Sequence, residues 1–128
     1  MRPRLLLLAV VLAVGLLAAG CGSSPTYDLD ATRACLERAP GVKVSSKVDF
    51  VASTALGGAI SVRLRGNEVT LSFANDRQET ERLVRAYERF RGKNIGLADV
   101  LRPVHNVVAL WEKHPSDAAL RTIRDCLK

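Results

Sequence analysis

The sequence predicts an α+β domain, a two-layer sandwich with its helices on one face of a sheet. Three stretches carry that prediction. "AISVRLRGNEVTLSF" (59–73) alternates apolar and polar residues on both sides of a short turn, the pattern of a half-buried antiparallel hairpin. An amphipathic helix over 76–91 follows directly. Then Val107–Trp111 is apolar without a break, as a central strand is. Strand, helix and strand in that order form a β-α-β unit, so 68–73 and 104–112 are expected to run parallel with a right-handed crossover. An antiparallel hairpin plus a parallel β-α-β strand is loosely ferredoxin-like, a likeness of fold that carries no function.

At the head of the chain, Met1-Arg2-Pro3-Arg4 holds two positive charges and no negative one. From Leu5 to Ala19 every residue is apolar or glycine, and Gly20 and Cys21 follow. A basic start, a short apolar run and small residues before a cut are the layout of a secretory signal peptide, here 1–20. A transmembrane helix needs roughly 20 apolar residues, and this run falls short. Ala18-Ala19-Gly20-Cys21 resembles the lipobox of bacterial lipoproteins, with Ala18 where that family more often has leucine. The resemblance covers residues 1–21 only. It implies that the Cys21 thiol receives a diacylglyceryl group, that cleavage falls before it, and that Cys21 becomes a lipidated N-terminus on the extracytoplasmic face of the cell membrane. Two acyl chains anchor stably where one binds reversibly. Residues 21–27 then read as the anchor and a short flexible tether, and 28–128 as one domain.

The domain opens with a helix over 28–39, capped by Asp28 or Asp30 and stopped by Pro40-Gly41. Ala31, Ala34, Cys35 and Ala39 share one face of it, which points the cysteine inward. Val42-Lys43-Val44 reads as a short strand. The stretch 46–56 is ambiguous. Ser46 and Asp49 suggest a capping box, but Val48 and Phe50 flank Asp49 as in a strand, and extended structure is the expectation. In the hairpin, a turn at Gly66-Asn67 pairs Leu64 with Val69, Val62 with Leu71 and Ile60 with Phe73, placing all six on one face. Asp76 and Glu79 form a capping box for the next helix, whose buried stripe is Leu83, Ala86, Tyr87 and Phe90. The connector 92–103 is mixed. A last helix, capped by Ser116, presents Leu120, Ile123 and Leu127, with Cys126 beside them.

Removal of Arg2 and Arg4 with the signal peptide takes 19 basic residues to 17 against 13 acidic, a net charge of +4. Beside an anionic surface that excess is mildly attractive. Of three cysteines, the lipobox reading takes Cys21, which leaves Cys35 and Cys126 as an even pair in an oxidising compartment. A disulfide between them closes nearly the whole domain into one loop. Two buried thiols and a metal pair are the alternatives.

Little in the chain points to catalysis. His105 and His114 stand at opposite ends of the expected strand, about 30 Å apart at ~3.3 Å per residue. The chain lacks a G-x-S-x-G elbow, and Gly57-Gly58 has no following Lys-Ser/Thr for a phosphate loop. Asp49, Glu68, Asp99 and Glu112 are dispersed. Arg82, Arg85 and Arg89 share a helix side and Arg63 and Arg65 the outer hairpin face, which offers no aromatic residue for base stacking. The expectation is a lipid-anchored protein with a non-catalytic domain that binds a cell-envelope component or protein. No catalytic residue, metal, cofactor or nucleic acid enters it, and the ligand-binding residues are unassigned. The alternative is a small envelope hydrolase or processing enzyme, which requires a deep pocket with convergent titratable groups.

Overall fold

A computed structural model describes residues 26–90 and 96–128. Cys21, the signal-peptide segment and most of the tether lie outside the described residues, as do 91–95 of the connector. The chain forms α1 (Leu29–Arg38), β1 (Lys43–Ser45), a single 3-10 turn (Ala52–Thr54), β2 (Ala59–Leu64) and β3 (Asn67–Phe73). It continues through α2 (Arg77–Phe90), α3 (Leu97–Val100), β4 (Leu101–Val104), β5 (Val107–Trp111) and α4 (Asp117–Cys126). The α+β class holds. Five strands lie in the order β1-β2-β3-β5-β4, and every neighbouring pair is antiparallel.

The expected parallel pairing is therefore corrected. Residues 104–112 are not one strand: His105 takes a left-handed conformation at φ 53° and the chain reverses there. The amide of Asn106 is buried in the turn, accepting from Tyr27 N–H and donating to the Tyr27 and Ala74 carbonyls. β4 does run in the same direction as β3, but β5 lies between them, so the β-α-β unit is split.

The hairpin turn sits one residue earlier than expected. Arg65 and Gly66 both have positive φ, 49° and 72°, as a mirror-image two-residue turn requires. Val62 consequently faces Val69 and Ile60 faces Leu71. Asn67 is drawn away from the turn because its side chain bridges to Lys113, accepting from its N–H at 3.1 Å and donating to its carbonyl at 3.0 Å. The slip is two positions along β3, so the same side chains stay on the same face.

Helices cover both faces of the sheet, not one. Strand side chains alternate between faces, and β5 shows both sides at work. Val107, Ala109 and Trp111 pack with Leu36 of α1 and Ala119, Ile123 and Cys126 of α4. Val108 and Leu110 pack with Leu83 and Tyr87 of α2 and with Val51 and Ala55. A strand apolar on both sides has to be covered on both sides. Under the second layer β2 and β3 contribute Ser61 and Ser72, both buried and small enough to admit it.

The caps fall where the sequence places them. Asp28 accepts from Ala31 N–H at 2.8 Å, Asp76 from Glu79 N–H at 2.8 Å, and Ser116 from Ala119 N–H at 3.2 Å. Two faces differ from expectation. In α1 Thr32 and Leu36 are buried while Ala31 and Ala34 are exposed, so the inward face is turned towards the larger side chains, with Cys35 half-buried on its edge. In α2 Leu83 and Tyr87 are buried, but Phe90 is 64% exposed. The ambiguous 46–56 stretch is neither strand nor α-helix. Asp49, just before the stretch's one 3-10 turn, accepts from Ala52 N–H at 2.9 Å. Gly57 then runs so close to β3 that a Cβ there would meet the Phe73 carbonyl oxygen at 2.5 Å.

Candidate functional site

Two ties close the domain where the chain enters it. Cys35 and Cys126 are joined in a disulfide, with Cα atoms 5.3 Å apart across a sequence separation of 91. It links α1 to α4, the first and last helices. Beside it Asp28 N–H donates to the Lys128 carbonyl at 2.6 Å, and Lys128 N–H to Thr32 Oγ1 at 3.3 Å. Tyr27, read from sequence as tether, belongs to the fold. Both its backbone groups are bonded to the Asn106 side chain, and its ring meets His105 edge-on at 5.6 Å. The point at which the tether leaves is thereby fixed.

Thr26 at that point lines a shallow cleft of about 460 Å³ with the first turns of α2 and the β4–β5 turn. Its polar groups are largely engaged with one another. Arg77 Nε donates to Glu81 at 3.0 Å, Thr80 Oγ1 donates to the Asp76 carbonyl, and Asp76 caps the helix. The cleft is open, with Arg77 and Glu81 paired across it and Asp76 engaged in the helix cap.

The second feature is the outward seam between α2 and residues 49–56, which run back along the helix. Two acids hold it together, Glu79 buried and Asp49 half-buried. Glu79 accepts from Leu56 N–H at 2.6 Å and from Asn75 N–H at 2.7 Å. Asp49 accepts from the Tyr87 hydroxyl at 3.1 Å. Arg82 donates to the Thr54 carbonyl at 3.1 Å and to its hydroxyl at 3.2 Å. On the outer surface Phe50 and Phe90 stand 72% and 64% exposed, edge to face at 6.0 Å, and Leu56 is 72% exposed. Three of the four large exposed apolar side chains among the described residues lie on this seam.

The structure brings Cys35 and Cys126 together, as the cysteine count anticipates, while Cys21 lies outside the described residues. The two histidines stay apart at opposite ends of β5. One pairing was missed: His114 Nδ1 lies 2.7 Å from Asp99 Oδ2, and Arg102 Nε donates to the Asp99 carbonyl. Asp99 lies in the connector, whose fold the sequence pattern did not define. Both partners are exposed, and surface ion pairs of this kind contribute little. Among the described residues no group of three or more His, Cys, Asp or Glu is placed to hold a metal ion, and no helix is long and apolar enough to cross a membrane. No protein-family model, curated protein or solved structure matches the chain.

Proposed function

We propose that the protein is a membrane-anchored extracytoplasmic lipoprotein whose small domain binds a cell-envelope component and performs no catalysis. The observation that carries this reading is Ala18-Ala19-Gly20-Cys21 placed directly after a basic start and a short apolar run. The disulfide supports it, since such bonds persist in oxidising compartments outside the cytoplasm. The tether supports it too. From Cys21 to Tyr27 the chain spans at most about 21 Å at ~3.5 Å per residue, so an anchored domain stays against the bilayer. The surface features favour binding over chemistry, because they are an open polar cleft and an exposed apolar seam.

The test is the mass and membrane partition of the protein with Cys21 intact and with Cys21→Ser. The intact protein should begin at Cys21 and carry a diacylglyceryl group. The Cys21→Ser variant should lack the lipid and either stay unprocessed or leave the membrane. A variant cut and retained as before would overturn the reading.

A further inference from the structure

The seam between α2 and residues 49–56 has a direction as well as a composition. Two of its acids are consumed within the seam: Asp49 by the Tyr87 hydroxyl and the Ala52 amide, Glu79 by two backbone amides. Its outward charges are basic in excess: Arg82, Arg85, Arg89 and Lys47 stand against exposed Glu88 and Glu81, the latter paired with Arg85 at 3.8 Å. Arg82 borders the Thr54 turn, Arg85 and Arg89 lie on the solvent side of the same helix, and exposed Lys47 precedes Phe50 in the chain. Phe50, Phe90 and Leu56 project between them. Aromatic and aliphatic side chains set among arginines and lysines match the boundary of an anionic bilayer, where apolar groups enter the acyl region and cations meet the headgroups.

The described chain begins at the N-terminal end of α2, with Tyr27 turning in to pack on the α1 and α4 side of the sheet. Thr26 shares its cleft with Asp76, Arg77 and Thr80 of α2, so the chain leaves beside the helix's first turn. From there α2 extends for 14 residues, about 21 Å at 1.5 Å each, to Phe90. A domain lying on its α2 layer brings both ends of the seam to the leaflet at once, whereas one standing on the tether root holds the phenylalanines about 20 Å away.

We infer that this seam is a membrane-docking face, which rests the anchored domain side-on against an anionic leaflet with Phe50, Phe90 and Leu56 at the headgroup boundary. This rests on the anchored reading above. Tethering raises the local lipid concentration, so a weak docking face suffices. Each well-placed basic side chain near an anionic surface adds roughly fivefold to partitioning; with Arg85 shared with Glu81, Arg85 and Arg89 together carry about fivefold or more.

The test is hydroxyl-radical footprinting of the processed protein on vesicles of phosphatidylcholine containing 30% phosphatidylglycerol, and on phosphatidylcholine alone. Its mass is taken first. A protein lacking the lipid defeats the anchored reading, yet when mixed with the same vesicles it still reports on the seam. Oxidation of Phe50 and Phe90 should fall at least fivefold on the anionic vesicles relative to the neutral ones. Val104, 37% exposed at the opposite helical layer, serves as the internal control and should not change. The Arg85→Gln/Arg89→Gln variant should remove the difference between the two compositions. Equal oxidation on both vesicles, protection of Val104 in place of the phenylalanines, or protection that rises with protein concentration in the absence of lipid would each overturn the proposal.

Discussion

Reducing the Cys35–Cys126 disulfide should cost the domain about 4–5 kcal/mol. The bond spans 91 residues, and cross-linking a loop of that length removes this much conformational freedom from the unfolded chain on the loop-entropy model. Domains of this size are stable by about 5–15 kcal/mol, so about a quarter or more of the total is at stake. The native ties beside the bond are unaffected by reduction: Asp28 N–H still reaches the Lys128 carbonyl and Lys128 N–H still reaches Thr32. The folded state should therefore keep its shape, and the fluorescence of buried Trp111 should be unchanged by reductant in the absence of denaturant. The assay is guanidinium unfolding of the processed protein with and without dithiothreitol. The midpoint should fall, and the slope should rise, because the unlinked unfolded chain exposes more surface. A Cys35→Ala/Cys126→Ala pair should fall slightly further, by the packing of the lost sulfurs. A change below about 1 kcal/mol with an unaltered slope would refute the argument, since the ends of the unfolded chain would then be close together without the bond.

Glu79→Ala strands the amides of Leu56 and Asn75, both bonded to a buried carboxylate at 2.7 Å or less, and should cost about 3 kcal/mol. Hydrogen exchange at Leu56 should accelerate more than at the centre of β3, and uniform acceleration would show that Glu79 does not clasp this loop. Ser72→Ala should go the other way. Its hydroxyl is fully buried with no partner among the described residues, so removing it should raise stability by up to about 1 kcal/mol in the same denaturation assay. A loss of stability would mean that the hydroxyl is bonded.

Local chemistry was legible in the sequence and the arrangement of layers was only half so. Caps at Asp28, Asp76 and Ser116 are short-range signals and were readable from spacing. So were the hairpin's two faces, because a slip of two residues along β3 leaves the alternation untouched. The turn position was less determined: Gly66 fits both placements, and the decision was made by Asn67, whose side chain is needed at Lys113, 46 residues away. The reversal at His105-Asn106 was hidden for a similar reason. The residues on either side of it are valine, and the buried amide that fixes the turn finds its partners at Tyr27 and Ala74. The covering of both sheet faces was in plain view in Val107–Trp111. Serines on one face of the hairpin suggested solvent there, but a serine face also lets a helix approach closely.

The seam owes its existence to a mismatch of lengths that periodicity does not register. Phe90 falls on the buried stripe of α2 by spacing, three residues after Tyr87, and a helical pattern treats the core as continuing along the whole helix. The core beneath α2 is shorter. β5 has five residues and β4 four, about 17 and 13 Å of strand, against about 21 Å of helix. The last turn of α2 therefore overhangs the sheet, and Phe90 meets Phe50 outside the core instead of a strand inside it. Had α2 ended a turn earlier, Phe50 would stand alone and the seam would lose its far end. The overhang thus converts a residue with a core pattern into a surface one.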